Sequence, residues 1–214
     1  MARNKYPEVT VEKILEVAQK LFLEKGYDNT TIQDIVDKLG GLTKGAIYHH
    51  FKSKEDIIVA LSDKMFMESN PIVTVKKRND INALEKMREV IRLNQANTQN
   101  AQIEIQALPL LQNPRIFAEM METNRRNLSP LWQELIEEGI QDGSVHTEYA
   151  KEIAELIPFL GDVWLYPAVY PATEEEVFHK FLFLKEMLEK MGVPIIDDEM
   201  VNLLKDQISN IANR

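Results

Sequence analysis

Residues 31–51 read TIQDIVDKLGGLTKGAIYHHF, and Lys54 follows three residues later. Side chains of this kind at this spacing suit recognition of a polyanion rather than bond-making. Tyr48, His49 and Lys54 offer hydroxyl, imidazole and ammonium donors for phosphate oxygens. Thr43, Lys44, Gly45 and Ala46 keep the start of the last helical stretch small or polar, which a helix needs if it is to meet base edges in a major groove. Gly45 lets a backbone approach closely, and Lys54 sits where the next helix N-terminus also favours an anion. Catalytic and metal chemistry lack a pattern. Adjacent helical residues such as His49 and His50 point about 100° apart, so they do not share an ion. His146 and His179 lie far off and cysteine is absent. There is no Gly-rich phosphate loop, nucleophile elbow or His-Glu-x-x-His. The expectation is a protein that is not an enzyme and has no metal site and no cofactor.

The apolar positions that must hold these groups have helical spacing. Val11, Ile14, Leu15, Ala18, Leu21 and Phe22 form one stripe of a first helix, with Thr10 as its N-cap and Gly26 as its stop. Thr30 with Gln33 reads as a capping box for a second helix, whose stripe is Ile32, Ile35, Val36 and Leu39 and which Gly40-Gly41 ends. A short third helix follows from about Thr43 to His50, with Ile47 inward and Phe51 plugging the core. Ser53 to Asp56 starts a fourth helix, from about 54 to 70. Beyond Pro71, after a weakly basic connection over 72–79, residues 80–98, 101–112, 115–140, 148–168, 174–191 and 197–213 all read as helices, and Thr173 with Glu176 forms another capping box.

The charge is uneven. The whole chain of 214 residues carries −9. Residues 1–55 hold nine Lys and Arg against eight Asp and Glu, a net of +1; the rest holds sixteen against twenty-six, a net of −10. A coating protein for nucleic acid is excluded by such a balance, whereas a specific binder with a few well-placed cations is not. No run of about 18 apolar residues suggests a membrane span, the N-terminus does not read as a signal peptide, and a cytoplasmic location follows.

The blocks LFLEKGYDNTTIQDIVDKLG and LTKGAIYHHFKSKEDII, in that order, resemble the TetR (tetracycline-repressor-like) family over roughly residues 10–65. The resemblance implies an all-α homodimer with an N-terminal three-helix helix-turn-helix domain, residues 1–55, that binds double-stranded DNA. A C-terminal helical ligand-binding and dimerisation domain, residues 56–214, would follow. It implies a regulator, most often a repressor released from its operator by a small molecule. It assigns phosphate contact to Thr31, Tyr48, His49 and Lys54 and base-edge contact to Lys44, Gly45 and Ala46, with Arg3 and Lys5 as an arm outside the motif. The turn Leu39-Gly40-Gly41-Leu42 has one residue more than is usual in the family. A DNA-binding architectural protein without a ligand is the alternative.

In the larger part, Met65, Leu108, Phe117, Met120, Met121 and Trp132 offer bulky apolar surface that suits either core packing or a pocket for a small apolar, neutral or cationic effector. Asp162 faces such a cation or sits at the rim of a dimer helix; the cost of burying a lone carboxylate favours the rim. Ile153, Leu156, Ile157, Leu160 and Trp164, with Val177, Phe181, Leu184 and Leu188, form two apolar stripes suited to a four-helix dimer seam.

Overall fold

The computed structural model describes residues 7–96, 113–167 and 169–212. Among them there are helices and turns but no strand. They divide into two compact units, one of residues 7–68 with 113–120, the other of 69–96 with 121–212.

The first unit is built on α1 (Pro7–Lys25), α2 (Ile32–Leu39), α3 (Lys44–His50) and α4 (Lys54–Ser69). Helix α1 starts at Pro7 rather than at the Thr10 cap read from the sequence; proline at a first helical position has no N–H to waste and a φ already set for the helix. The stripe Ile14, Leu15, Ala18, Leu21 and Phe22 is buried together with Tyr27, Ile35, Ile47, Phe51, Ile57 and Leu61. Ile116, near the start of α7 (Pro114–Thr123), packs on the same core.

The start of α2 also differs from expectation. Its N-cap is Thr31, and the box partner is Asp34, not Gln33. Thr30 instead turns inward, where its hydroxyl donates to the carbonyls of Gly26 at 2.8 Å and Leu21 at 3.2 Å. A buried hydroxyl needs such partners, and that need moves the cap one residue along. Both glycines after α2 use left-handed φ, +55° at Gly40 and +138° at Gly41. The additional residue is therefore taken up by the turn, and α2 is not lengthened.

In the second unit α5 (Ile72–Val75) interrupts the stretch read as a connection, because Ile72 and Val75 are buried. Then come α6 (Ala83–Ala96), the end of α7, α8 (Ser129–Asp142), α9 (Ala150–Phe159), α10 (Glu174–Lys190) and α11 (Asp198–Ala212). Thr173 and Glu176 do form the capping box of α10. The long helices read over 115–140 and 148–168 are each interrupted by one π turn, Asn124–Leu128 and Leu160–Trp164. A proline stands beside each, Pro130 just after the first and Pro158 just before the second. Lacking an N–H, each proline leaves one rung out of its helix; the π turns themselves are closed by Ser129 N–H on the Asn124 carbonyl and Leu165 N–H on that of Leu160. Buried Lys86 ties α6 to α8 through Glu138 at 2.7 Å, and Arg92 ties α6 to the approach to α11 through Asp197 at 2.5 Å.

Candidate nucleic-acid interface

The seven residues of α3 are held from three sides. Thr43 caps the N-terminus, its Oγ1 accepting from Ala46 N–H at 3.2 Å. Ile47 is fully buried, and Phe51 N–H closes the C-terminus on the Ile47 carbonyl at 2.9 Å. With Ile47 committed to the core, Lys44, Gly45, Tyr48 and His49 are left on the exposed surface, Ala46 is half-buried, and Tyr48 retains 45% of its exposure. The Lys44 ammonium lies 6.0 Å from the centre of the Tyr48 ring, one helical turn on, so the two side chains share a face. A Cβ added at Gly45 would meet nothing nearer than Thr43 Oγ1 at 3.9 Å. The fold therefore does not demand glycine there.

Thr31 is exposed, but its hydroxyl is engaged, donating to Asp34 Oδ2 at 2.6 Å while accepting from Asp34 N–H at 3.1 Å. The Asp34 carboxylate also receives Lys25 Nζ at 2.8 Å and Thr31 N–H at 2.8 Å. These donors, the Lys25 ammonium first, hold the carboxyl well below the usual carboxylate range. His49 packs edge-on against His50, with ring centres 5.2 Å apart.

Lys54 departs from the sequence expectation. Its ammonium does not point to solvent. It donates to the carbonyls of Tyr27 at 2.6 Å, Thr30 at 2.9 Å and Asp28 at 3.5 Å, and lies 4.2 Å from the Tyr27 ring centre. Its protons are directed at carbonyls within the protein, where the sequence reading has them face a phosphate. The Tyr27 phenol beneath it is buried, with the Glu55 carboxylate close by, and both push its pKa up to about 12. Two exposed cations that the pattern did not single out flank α3, Lys38 at the end of α2 and Lys52 at the α3–α4 corner. Among the described residues neither has an ion-pair partner, and nor does Lys44. A lone surface lysine carries no sequence signal that sets it apart, so only the structure reveals them. Arg3 and Lys5 lie outside the described residues.

The candidate pocket residues fall in both units. Leu108 lies outside the described residues. Met65, Phe117 and Met120 belong to the first unit, where Met65 is exposed and accepts a contact from Gln19 Nε2 at 3.8 Å. Met121, Trp132 and Asp162 belong to the second; Trp132 is a core residue at 4% exposure. Asp162, on the second π turn, is exposed and accepts from Asn124 Nδ2, on the first, at 2.9 Å. An open groove of about 610 Å³ involves none of these candidates; Ile140, Val145, His146, Tyr149 and Met191 are among its lining residues. No three His, Asp or Glu side chains among the described residues are grouped to hold a metal ion, and none of the described helices is long and apolar enough to cross a membrane.

The expected dimer stripes divide in the structure. Ile153, Phe181, Leu184 and Leu188 are buried within this chain and serve its own core. Leu156 remains exposed, while Ile157, Leu160, Trp164 and Val177 are half-buried. Beside them stand two groups that the periodicity did not select, exposed Phe159 and Phe183, and the Phe183 ring lies 5.8 Å from that of Trp164.

Comparison with known proteins gives concordant findings. The sequence pattern described as bacterial regulatory proteins, tetR family, matches residues 14–61. The transcriptional repressor KstR2 of Rhodococcus jostii is 32% identical over 149 residues, covering 66% of this chain and 71% of the relative. KstR2 of Mycolicibacterium smegmatis is 25% identical over 185 residues, covering 80% and 86%. A putative TetR-family regulator from Syntrophomonas wolfei, of known crystal structure, shares the fold with a TM-score of 0.58 at 23% identity, covering 99% of this chain and 97% of that one.

The Asp34 carboxylate gives the first unit a defined acid response. Its folded pKa is depressed, so the unfolded chain binds the proton more readily. The stabilisation is complete above the ordinary aspartate value of about 4 and is lost as pH falls below it. Asp34→Asn lowers the thermal midpoint at neutral pH, and the gap from the unaltered protein closes progressively below about pH 4. Circular dichroism melts across that range check this; a gap independent of pH would show that the charge is not the cause.

Proposed function

The chain belongs to the tetR family of bacterial regulatory proteins and is a DNA-binding transcriptional regulator rather than an enzyme; from that premise we propose that it acts in the cytoplasm as a repressor whose paired α3 helices read a near-palindromic operator and which a small effector releases. The observation that carries this reading is α3, a short helix pinned by Ile47 and Phe51 with Lys44, Gly45, Tyr48 and His49 facing out. Lys44, Gly45 and Ala46 take the base edges, and Tyr48 and His49 the phosphates, with Thr31 reaching one only by releasing its hydroxyl proton from Asp34. Repression is carried over from the KstR2 relatives, which are named as repressors.

Dimerisation uses the outer face of α9 and α10. Leu156, Phe159 and Phe183 are 41%, 42% and 56% exposed, with Leu160 and Trp164 beside them. Large apolar groups this exposed on two adjoining helices suit a two-fold four-helix seam. The effector site is placed in the second unit, where the two π turns meet through Asn124 and Asp162. π turns inside helices are frequent at functional sites because they free backbone groups and re-aim side chains. An exposed carboxylate there suits a neutral or cationic ligand.

Three outcomes test the reading. Gly45→Ala stabilises α3 by up to about 1 kcal/mol, yet weakens operator binding because its methyl occupies the line of close approach. A gain in thermal midpoint with undiminished DNA affinity would remove α3 from the interface. Leu156→Glu with Phe183→Glu gives a monomer in sedimentation velocity, and an unchanged dimer would rule out this face. A compound recovered by equilibrium dialysis against a metabolite library binds more weakly when operator is saturating, by a factor of about 5–150. Equal affinities would support a ligand-independent DNA-binding protein instead.

A further inference from the structure

Lys52 and Lys54 stand two residues apart at the corner between α3 and α4, in opposite surroundings. The turn that follows Gly26 directs three carbonyls, of Tyr27, Asp28 and Thr30, at one point, and the Lys54 ammonium occupies that point with one proton for each. The Tyr27 ring closes the cradle from another side. The Thr30 hydroxyl cannot take over this task, because it already serves the carbonyls of Leu21 and Gly26. Drawing Lys54 out to a phosphate would take its donor from the part-buried Thr30 carbonyl and forfeit the ring contact, while the Tyr27 carbonyl would keep only the Thr30 N–H at 3.2 Å.

Lys52 has the reverse arrangement, a fixed backbone and a free side chain. Its N–H donates to Asp56 Oδ2 at 2.8 Å, and its neighbour Phe51 is buried and bonded to the Ile47 carbonyl. The Lys52 side chain is exposed, and among the described residues its ammonium has no ion pair. A flexible cation held one residue past the C-cap of the recognition helix is well suited to engage the phosphate beside that helix.

Resting on the DNA-binding reading above, we propose that Lys52, and not Lys54, makes the phosphate contact at the α3–α4 corner, while Lys54 is the internal cation that closes the turn between α1 and α2. The two roles separate in one experiment on the full chain. The probe is a duplex selected from a random-sequence pool by the unaltered protein, and its affinity is measured from about 50 to about 200 mM salt. Lys52→Ala makes the slope of log affinity against log salt shallower by about 0.9 for each copy bound and leaves the thermal midpoint unchanged. Lys54→Met keeps the slope and lowers the midpoint. Lys54→Gln covers the case in which Lys54→Met does not fold: its amide still donates to part of the carbonyl cradle but carries no charge, so the midpoint falls while the slope stays. The inference is overturned by an unchanged slope in Lys52→Ala, or by a shallower slope with an unchanged midpoint in either Lys54 variant. Salt-independent binding by the unaltered protein would overturn the DNA-binding reading itself, a result distinct from either of these.

Discussion

A seven-residue helix has almost no stability of its own in water, since nucleation consumes what so few hydrogen bonds return. Helix α3 exists because Ile47 is buried in a core made by α1, α2 and α4, because Phe51 plugs that core at the C-terminal end, and because Thr43 caps the other. The rest of the first unit can be understood as support for that one burial. Ile14, Leu15, Ala18, Leu21 and Phe22 form the floor, Ile35 and Ile57 the walls, and the Lys54 ammonium holds the turn that brings α2 back across α1. Display follows from anchorage: with one face of α3 spent on Ile47, the side chains suited to DNA have nowhere else to point.

Charge shapes the system in a complementary way. A chain of net −9 is repelled by a polyanion at long range, so what attraction there is must come from cations that the protein has not already neutralised. In the first unit Lys20, Lys25 and Lys64 are paired with Glu24, Asp34 and Glu12. Lys38, Lys44 and Lys52, which flank or begin α3, have no such partner among the described residues. Three cations without an ion-pair partner among the described residues thus lie around the recognition helix, and a further one, Lys13, lies on α1.

The second unit is governed by two prolines set within long helices. Pro130 and Pro158 each remove one N–H from a ladder, and beside each the helix widens to a π turn. The two turns meet at Asn124 and Asp162. A regular helix at either place would have carried Asp162 round by a different angle relative to Asn124.

Much of this was legible in the residue pattern. The spacing of Ile14 to Phe22, of Ile32 to Leu39 and of Ile47 before Phe51 determined three helices and which face of each turns inward, because burial of an apolar stripe is a local property of a 3.6-residue period. The paired blocks around Gly40-Gly41 and Ser53-Lys54-Glu55 determined the family. Tertiary structure alone decided the rest, because each remaining choice depended on a partner distant in sequence or a competition invisible along the chain. Thr30 yielded the cap to Thr31 because the carbonyls of Leu21 and Gly26 needed a donor. Lys54 turned inward because three carbonyls more than twenty residues earlier converged on it. Phe181, Leu184 and Leu188 went to the protomer's own core while Phe183 stayed outside, since periodicity marks an apolar stripe but not which neighbour will cover it.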